Sequence, residues 1–433
     1  MNEADPRHDP TVESVSALSP LNIPVFRAIW IANTISSIGA LIQAVGASWL
    51  MTTITPSADM VALVQSSVTL PLTLLSLVTG ALADSVDRRK LMLASQVFML
   101  VMSSALAVCA WYGLITPWLL LFFTFAIGCG GAFNAPAWQA SVRDMVPRAQ
   151  LPAAIALTSV GYNVARSVGP AIGGALVAAA GAAAAFAVNA LTYIALIAEL
   201  ARWHPEPNPQ QTRERFGPAV LAGIRLVSAS PPIRTVLMRG FVFGMGACSV
   251  MALLPLVAKQ LIRGGSLTYG LLLGAFGVGA VAGAVSSATL RQRLSSEGIV
   301  RSSSVALAVA TAALGQSTRI APAILALLVA GAAWLLALTT FNVTVQLSAP
   351  RWVSARALSL YQMCGFGGMA LGSWVWGVAA EYAGLAAALM GSAIVLLICA
   401  LLGRVLPLAK LGELHDGEAA AHQPGGGRSA QRP

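Results

Sequence analysis

Residues 80–90 read Gly80-Ala-Leu-Ala-Asp84-Ser-Val-Asp87-Arg88-Arg89-Lys90, a short charged turn set between two long apolar runs. The runs on either side, near 60–83 and 91–113, are each long enough to cross a hydrocarbon layer of about 30 Å as a helix. Moving outward from the turn, apolar runs and their breakers give spans near 26–53, 60–83, 91–113, 116–140, 151–180 and 182–202, then 234–258, 267–290, 299–319, 321–347, 355–380 and 385–406. Composition agrees: 57% of the 433 residues are hydrophobic, 10% are charged and the mean hydropathy is +0.76. A soluble domain carries about a quarter charged residues. The sequence predicts an all-α integral membrane protein of twelve transmembrane helices in two six-helix halves. The expected organisation is an N-terminal tail (1–24), a first half (25–202), a linker (203–233), a second half (234–410) and a disordered tail (411–433).

The two halves match when the sequence is shifted by 203 positions. Gly80 then falls on Gly283, Arg88 on Arg291, Lys90 on Arg293, Pro147 on Pro350, Arg148 on Arg351, Gly169 on Gly372 and Gly174 on Gly377. One shift that aligns basic residues in two separate loops points to a duplication. The linker carries six prolines, from Pro205 to Pro232, and an amphipathic stretch (Val220, Leu221, Ile224, Val227) suited to the membrane surface.

Charge sets the expected orientation. Of 26 Lys and Arg, three (Lys259, Arg263, Arg319) fall in outer loops and one (Arg166) in a span if both termini are cytoplasmic, leaving 22 on the inside. The net charge of +10 is then topological, and no nucleic-acid partner is expected. Five cysteines (Cys109, Cys129, Cys248, Cys364, Cys399) lie in apolar runs without metal spacing, and all four histidines fall in tails or linker. The sequence contains no phosphate-binding G-x-x-x-x-G-K-[ST] loop, and no nucleophile or paired-carboxylate arrangement suggests an enzyme. No cofactor and no metal are expected.

The turn itself resembles the loop 2–3 signature of the major facilitator superfamily, Gly-x-Leu-Ala-Asp-x-x-Gly-Arg-Arg-Lys, with Asp87 in the place of the signature glycine. Its Asp-x-x-Asp-Arg-Arg form is similar to the branch that includes enterobactin exporters and macrolide efflux proteins. The resemblance implies a gating loop of Gly80, Asp84, Asp87, Arg88, Arg89 and Lys90, with Asp84 and Arg88 as a cytoplasmic latch. By chemistry, Asp84 can cap the next helix or accept from Arg88. The second half keeps Gly283, Arg291 and Arg293 but has Ser287 for the Asp, so any latch is asymmetric. Span 5 carries Gly169-Pro170-Ala-Ile-Gly173-Gly174, which resembles a signature associated with exporters and is suited to close packing and gating.

Arg166 is the most informative single residue, because a cation in mid-span costs at least about 2.5 kcal/mol and needs a cavity or a partner. It suits either an anionic or oxygen-rich substrate, or a structural role as donor to helix carbonyls or to nearby Asn and Gln. Asn163 stands one turn before it. Other substrate-binding candidates are Asn33, Gln43, Gln65, Asn134, Asn342 and Gln362. Interhelical hydrogen bonding competes as their role, as packing does for Tyr361, Phe366, Trp374 and Trp376. The acids lie at the span margins (Asp59, Asp84, Asp87, Glu199, Glu381), and Glu199 is expected to pair locally with Arg202.

The resemblance implies a secondary active transporter of the inner (plasma) membrane, a monomer that exports a siderophore, macrolide or similar amphiphilic molecule by alternating access. Proton antiport belongs to that resemblance and to no residue above. The competing readings are a proton-coupled importer of a small organic anion and a non-transporting membrane sensor or partner subunit.

Overall fold

In the computed structural model the described residues are 16–85, 87–205, 230–349 and 354–408, without the side chains of 76–78, 80–85 and 354–356. Most of the first tail, the amphipathic linker stretch, Arg351 and the C-terminal tail lie outside them. The described residues are almost wholly helical: α1 (Pro24–Ile54), α2 (Ala58–Ser85), α3 (Arg88–Trp111) and α4 (Pro117–Met145) precede a run Leu151–Arg202. At 52 residues that run would measure about 78 Å as one helix, more than two membrane thicknesses. It breaks at Gly181, whose φ of 81° no ordinary residue adopts without strain, into α5 (151–180) and α6 (182–202). Then come α7 (Pro231–Leu256), α8 (Ser266–Arg293), α9 (Ser296–Gly315), α10 (Ile320–Ser348), α11 (Ser354–Ala383) and α12 (Leu385–Val405). Counted on each side of the break, the described residues form twelve spans.

Local chemistry explains the boundaries. Proline stands in the first turn of α1, α4, α5 and α7, where its missing N–H is no loss. Thr116 and Ser295 cap α4 and α9 through their hydroxyls. Interior prolines (Pro71, Pro136, Pro170, Pro255) sit in spans, where neighbouring helices and local adjustment accommodate them. After Pro255 the chain passes through a π-helical turn, Val257–Leu261.

The duplication is visible in the backbone. Gly181 and Gly384, both at positive φ, are 203 residues apart and reverse the chain between the fifth and sixth helices of each half. Gly169 of α5 sits against Ile38 and Leu41 of α1, and its counterpart Gly372 of α11 sits against Met245 and Cys248 of α7. Gly174 of α5 faces Ser266 and Gly270 of α8, and its counterpart Gly377 of α11 faces Asp59 and Ala62 of α2.

Packing divides the chain into two units. One comprises Met1–Pro56, Val78–Glu214 and Gly264–Gly277, so it holds the beginning of α8. At one end of it Phe26, Ile29, Met92, Trp138, Leu196 and Trp203 form an apolar core. The other comprises Ser57–Leu77, Arg215–Arg263 and Val278–Pro433, and thus holds most of α2. Its interior carries an aromatic series, Trp334 to Phe243 to Phe341 to Tyr361. Each unit therefore contains a segment of the opposite sequence half.

Candidate functional site

Asp87 begins the charged turn's second helix. Its carboxylate accepts from the backbone N–H of Arg89 (3.0 Å) and Lys90 (3.3 Å), which makes it the N-cap of α3. The residue that departs from the signature thus performs the capping expected of Asp84, whose side chain, like Gly80, lies outside the described residues. Arg88 donates to Asp144 in the last turn of α4 at 2.8 Å, an ion pair that joins α3 to α4. Arg89 donates from Nε to the Leu200 carbonyl (2.9 Å) and from Nη2 to the Ala201 carbonyl (2.6 Å). These are orphan acceptors at the C-terminus of α6, where a cation is favoured by the helix dipole. Lys90 is exposed.

The second half carries a charge site that the reading of spans passed over by leaving Arg166 as the lone intramembrane cation. Arg239 of α7 is fully buried. Its guanidinium donates to both oxygens of Glu297, in the first turn of α9, and to the Leu406 carbonyl after α12 (3.2 Å). Glu297 also accepts from the Leu408 N–H at 3.0 Å. Gly403 lies against the pair: a Cβ there would meet Glu297 Oε1 and come within 3.0 Å of Arg239 Nη2. A guanidinium thus secures the end of the sixth helix in each half, from α3 in one and from α7 in the other.

α5 carries the most chemistry. A Cβ added to Gly161 would meet Thr34 and Trp30, and one on Gly173 would meet Ile42 and Val45, so Gly161, Gly169 and Gly173 form the face toward α1. Gly270, Gly274 and Gly277 of α8 approach Pro170, Ser167 and the Arg166 carbonyl, which defines a second face. With about 100° between residues, two open stripes remain between these faces. One is Val164, Val168 and Ile172, branched side chains that are exposed and suited to lipid. The opposite one is Ser159, Tyr162, Asn163 and Arg166. Arg166 lies about 22 Å along α5 from Leu151, near the middle of the span. Its guanidinium sits 5.9 Å over the Tyr162 ring. Among the described residues no carboxylate pairs with it.

The other candidates scatter. Gln43 is buried, its carbonyl accepting from Ser103 and Asn189 at 2.6 Å each, with Asn189 also donating to Tyr193 at 3.1 Å. This network ties α1 to α3 and α6 and fully occupies the Gln43 oxygen. Asn163 donates to the Ser159 carbonyl at 2.8 Å. Asn342 accepts from Gln346. Asn33, Gln65 and Asn134 are half-buried, and the Asn134 Oδ1 is a buried acceptor without a hydrogen-bond donor. Gln362 is exposed. Glu199 pairs with Arg202 at 2.7 Å, the local pair its spacing predicts. Glu381 of α11 accepts from the Ala58 N–H at 2.6 Å and so caps α2, a contact between ends far apart in sequence. Among the described residues no cluster of His, Cys, Asp and Glu is arranged to hold a metal.

Residues 15–426 match the sequence pattern of a family described as transmembrane secretion effector. The chain belongs to that family, a branch of the major facilitator superfamily. It is similar to macrolide efflux protein A of Streptococcus pyogenes, 24% identical over 269 residues, 58% of this chain and 66% of that protein. The enterobactin exporter EntS of Shigella boydii is 29% identical over 62% of this chain and 64% of its own length. With these first relatives the match spans slightly under two thirds of their length. The multidrug efflux pump Tap of Mycolicibacterium fortuitum matches more extensively, 25% identical over 83% of this chain and 90% of that one. Among solved structures, a bacterial homologue of the human lysosomal transporter Spinster superposes with TM-score 0.70 at 14% identity, over 88% of this chain and 97% of that one. The nucleoside transporter NupG does so with TM-score 0.74 at 12% identity, over 88% and 100%. Those likenesses establish the fold of this secretion-effector chain, and the family match makes it a multi-pass membrane protein of the major facilitator superfamily.

Proposed function

We propose that this chain exports a small amphiphilic molecule, of the siderophore or macrolide kind, by alternating access driven by the proton gradient. The observation that carries the reading is the double use of the α5 glycines. Gly169 and Gly173 lock α5 to α1, while Gly174 brings α5 backbone to backbone with Gly270 of the second half. A helix held fast by its own half and smooth toward the other is suited to slide or part there, and the α11 contact with α2 repeats the arrangement. The names of three relatives, two efflux proteins and an exporter, favour the outward direction. Both termini are taken as cytoplasmic from the distribution of basic residues, which puts the Asp87–Lys90 turn inside and the Glu381 cap of α2 outside.

The test is accumulation of a siderophore and macrolide panel in energised cells with and without the chain. At least one compound is expected to accumulate less when the chain is present, and an uncoupler should abolish the difference. Faster entry of organic anions in the same cells would overturn export in favour of import.

A further inference from the structure

We propose that the polar stripe of α5, formed by Ser159, Tyr162, Asn163 and Arg166, recognises the transported molecule and selects an aromatic compound bearing negative charge over a neutral or cationic one. The inference rests on the export reading for its transport path and narrows its substrate to the acidic aromatic kind, away from a basic, non-aromatic macrolide.

Placement comes first. The stripe runs along the α5 surface left open between the α1 and α8 faces, opposite the Val164, Val168 and Ile172 stripe. Hydrocarbon accepts the second stripe and not the first, so the guanidinium at mid-span belongs to the water-accessible side. Charge comes next. Every described carboxylate (Asp59, Asp87, Asp144, Glu199, Glu297, Glu381) stands at a helix end or cap. An amine carried to the depth of Arg166 therefore meets a like charge and no acid, whereas an anion meets an unneutralised guanidinium where charge interactions are weakly screened.

The side-chain arrangement adds the ring. Arg166 lies over the face of Tyr162, a contact that leaves the N–H edge of the guanidinium available to fork onto a carboxylate, sulfonate or phenolate. The Tyr162 ring is 57% exposed, open to stacking by an aromatic ligand beside the anion. Asn163 gives one N–H to the Ser159 carbonyl, which fixes its amide so that its Oδ1 can accept from a ligand hydroxyl.

The test uses three probes of one shape, 2-naphthoate, 2-naphthamide and 2-naphthylmethylamine, titrated calorimetrically into the purified full chain and its variants R166Q, R166K, Y162F and Y162L. Wild type is expected to bind naphthoate about tenfold more tightly than the amide, and the amine more weakly still. R166Q should erase the preference for the anion. R166K should keep part of it, Y162F all of it, and Y162L should weaken naphthoate and naphthamide by roughly threefold through the lost ring stacking. Thermal melting of each variant guards against misfolding, and R166K and Y162F carry the comparison if R166Q does not fold. A wild type that binds no probe, or binds all three alike, or a preference that survives in R166Q, overturns the assignment. Uptake into inside-out vesicles separates the two readings. Naphthoate that is bound but not moved would sink export and leave the site standing, while amine export untouched by R166Q would sink the site and leave export standing.

Discussion

Asp87 replaces a glycine of the family signature, and the exchange is conservative at the level of the backbone. Aspartate and glycine are both good N-caps, whereas alanine is a poor one. Asp87→Asn and Asp87→Gly should therefore change stability by only a few tenths of a kcal/mol, while Asp87→Ala should cost about 1 kcal/mol, read by thermal unfolding in detergent. Arg239 and Glu297 are a different case, since each leaves the other as an uncompensated charge in the interior. Arg239→Met and Glu297→Leu should each cost about 3–5 kcal/mol, and the double variant should recover most of that loss. Arg166 was legible in the sequence because a cation in an apolar run is conspicuous. Arg239 satisfies the same criterion, eight residues into α7, but closeness to a span end assigned it to the inner loops. Asp144 and Glu297 gave no signal of their own, because an acid near a helix end has many ordinary roles and their partners come from other helices.

At the scale of elements, twelve spans followed from apolar runs and breakers, and the observed helices keep those positions with ends displaced by up to five residues either way. The break at 181 was legible from the small-residue run around it, and its conformation explains why glycine stands there. Gly384 occupies the equivalent joint at φ 87° with open space around its Cβ position, so only backbone strain opposes substitution. Gly384→Ala should cost about 1–3 kcal/mol for that reason alone, and the measurement is again the melting midpoint. Partners of the helices were much less legible. Nothing in α2 foretells that Glu381, more than 300 residues on, caps its first turn. The candidate polar residues likewise looked alike in sequence, but Gln43 proves to be consumed by Ser103 and Asn189 while Arg166, among the described residues, has no carboxylate partner and lies over the Tyr162 ring.

For the molecule as a whole, the duplicated sequence folds into packing units that borrow α2 and the start of α8 across the repeat. If alternating access parts these borrowed contacts, fixing one of them must stop the cycle. A Cβ on Gly274 would stand 3.8 Å from that of Ala171, the separation that a disulfide requires. Ala171→Cys with Gly274→Cys should crosslink on oxidation and arrest transport, and reduction should restore it. Each single cysteine should be neutral under the same treatment. Transport that continues at full rate in the oxidised double variant would mean that α5 and α8 do not separate here.

The joints at Gly181 and Gly384 have a mechanical consequence. A reversal made by one residue leaves no slack in the chain, so the near end of α6 must go wherever the far end of α5 goes. α6 in turn is stapled to α1 and α3 through Asn189, Gln43 and Ser103. A displacement of α5 would therefore draw α6 with it and, through that buried network, α1 and α3, while α2 keeps to the other packing unit.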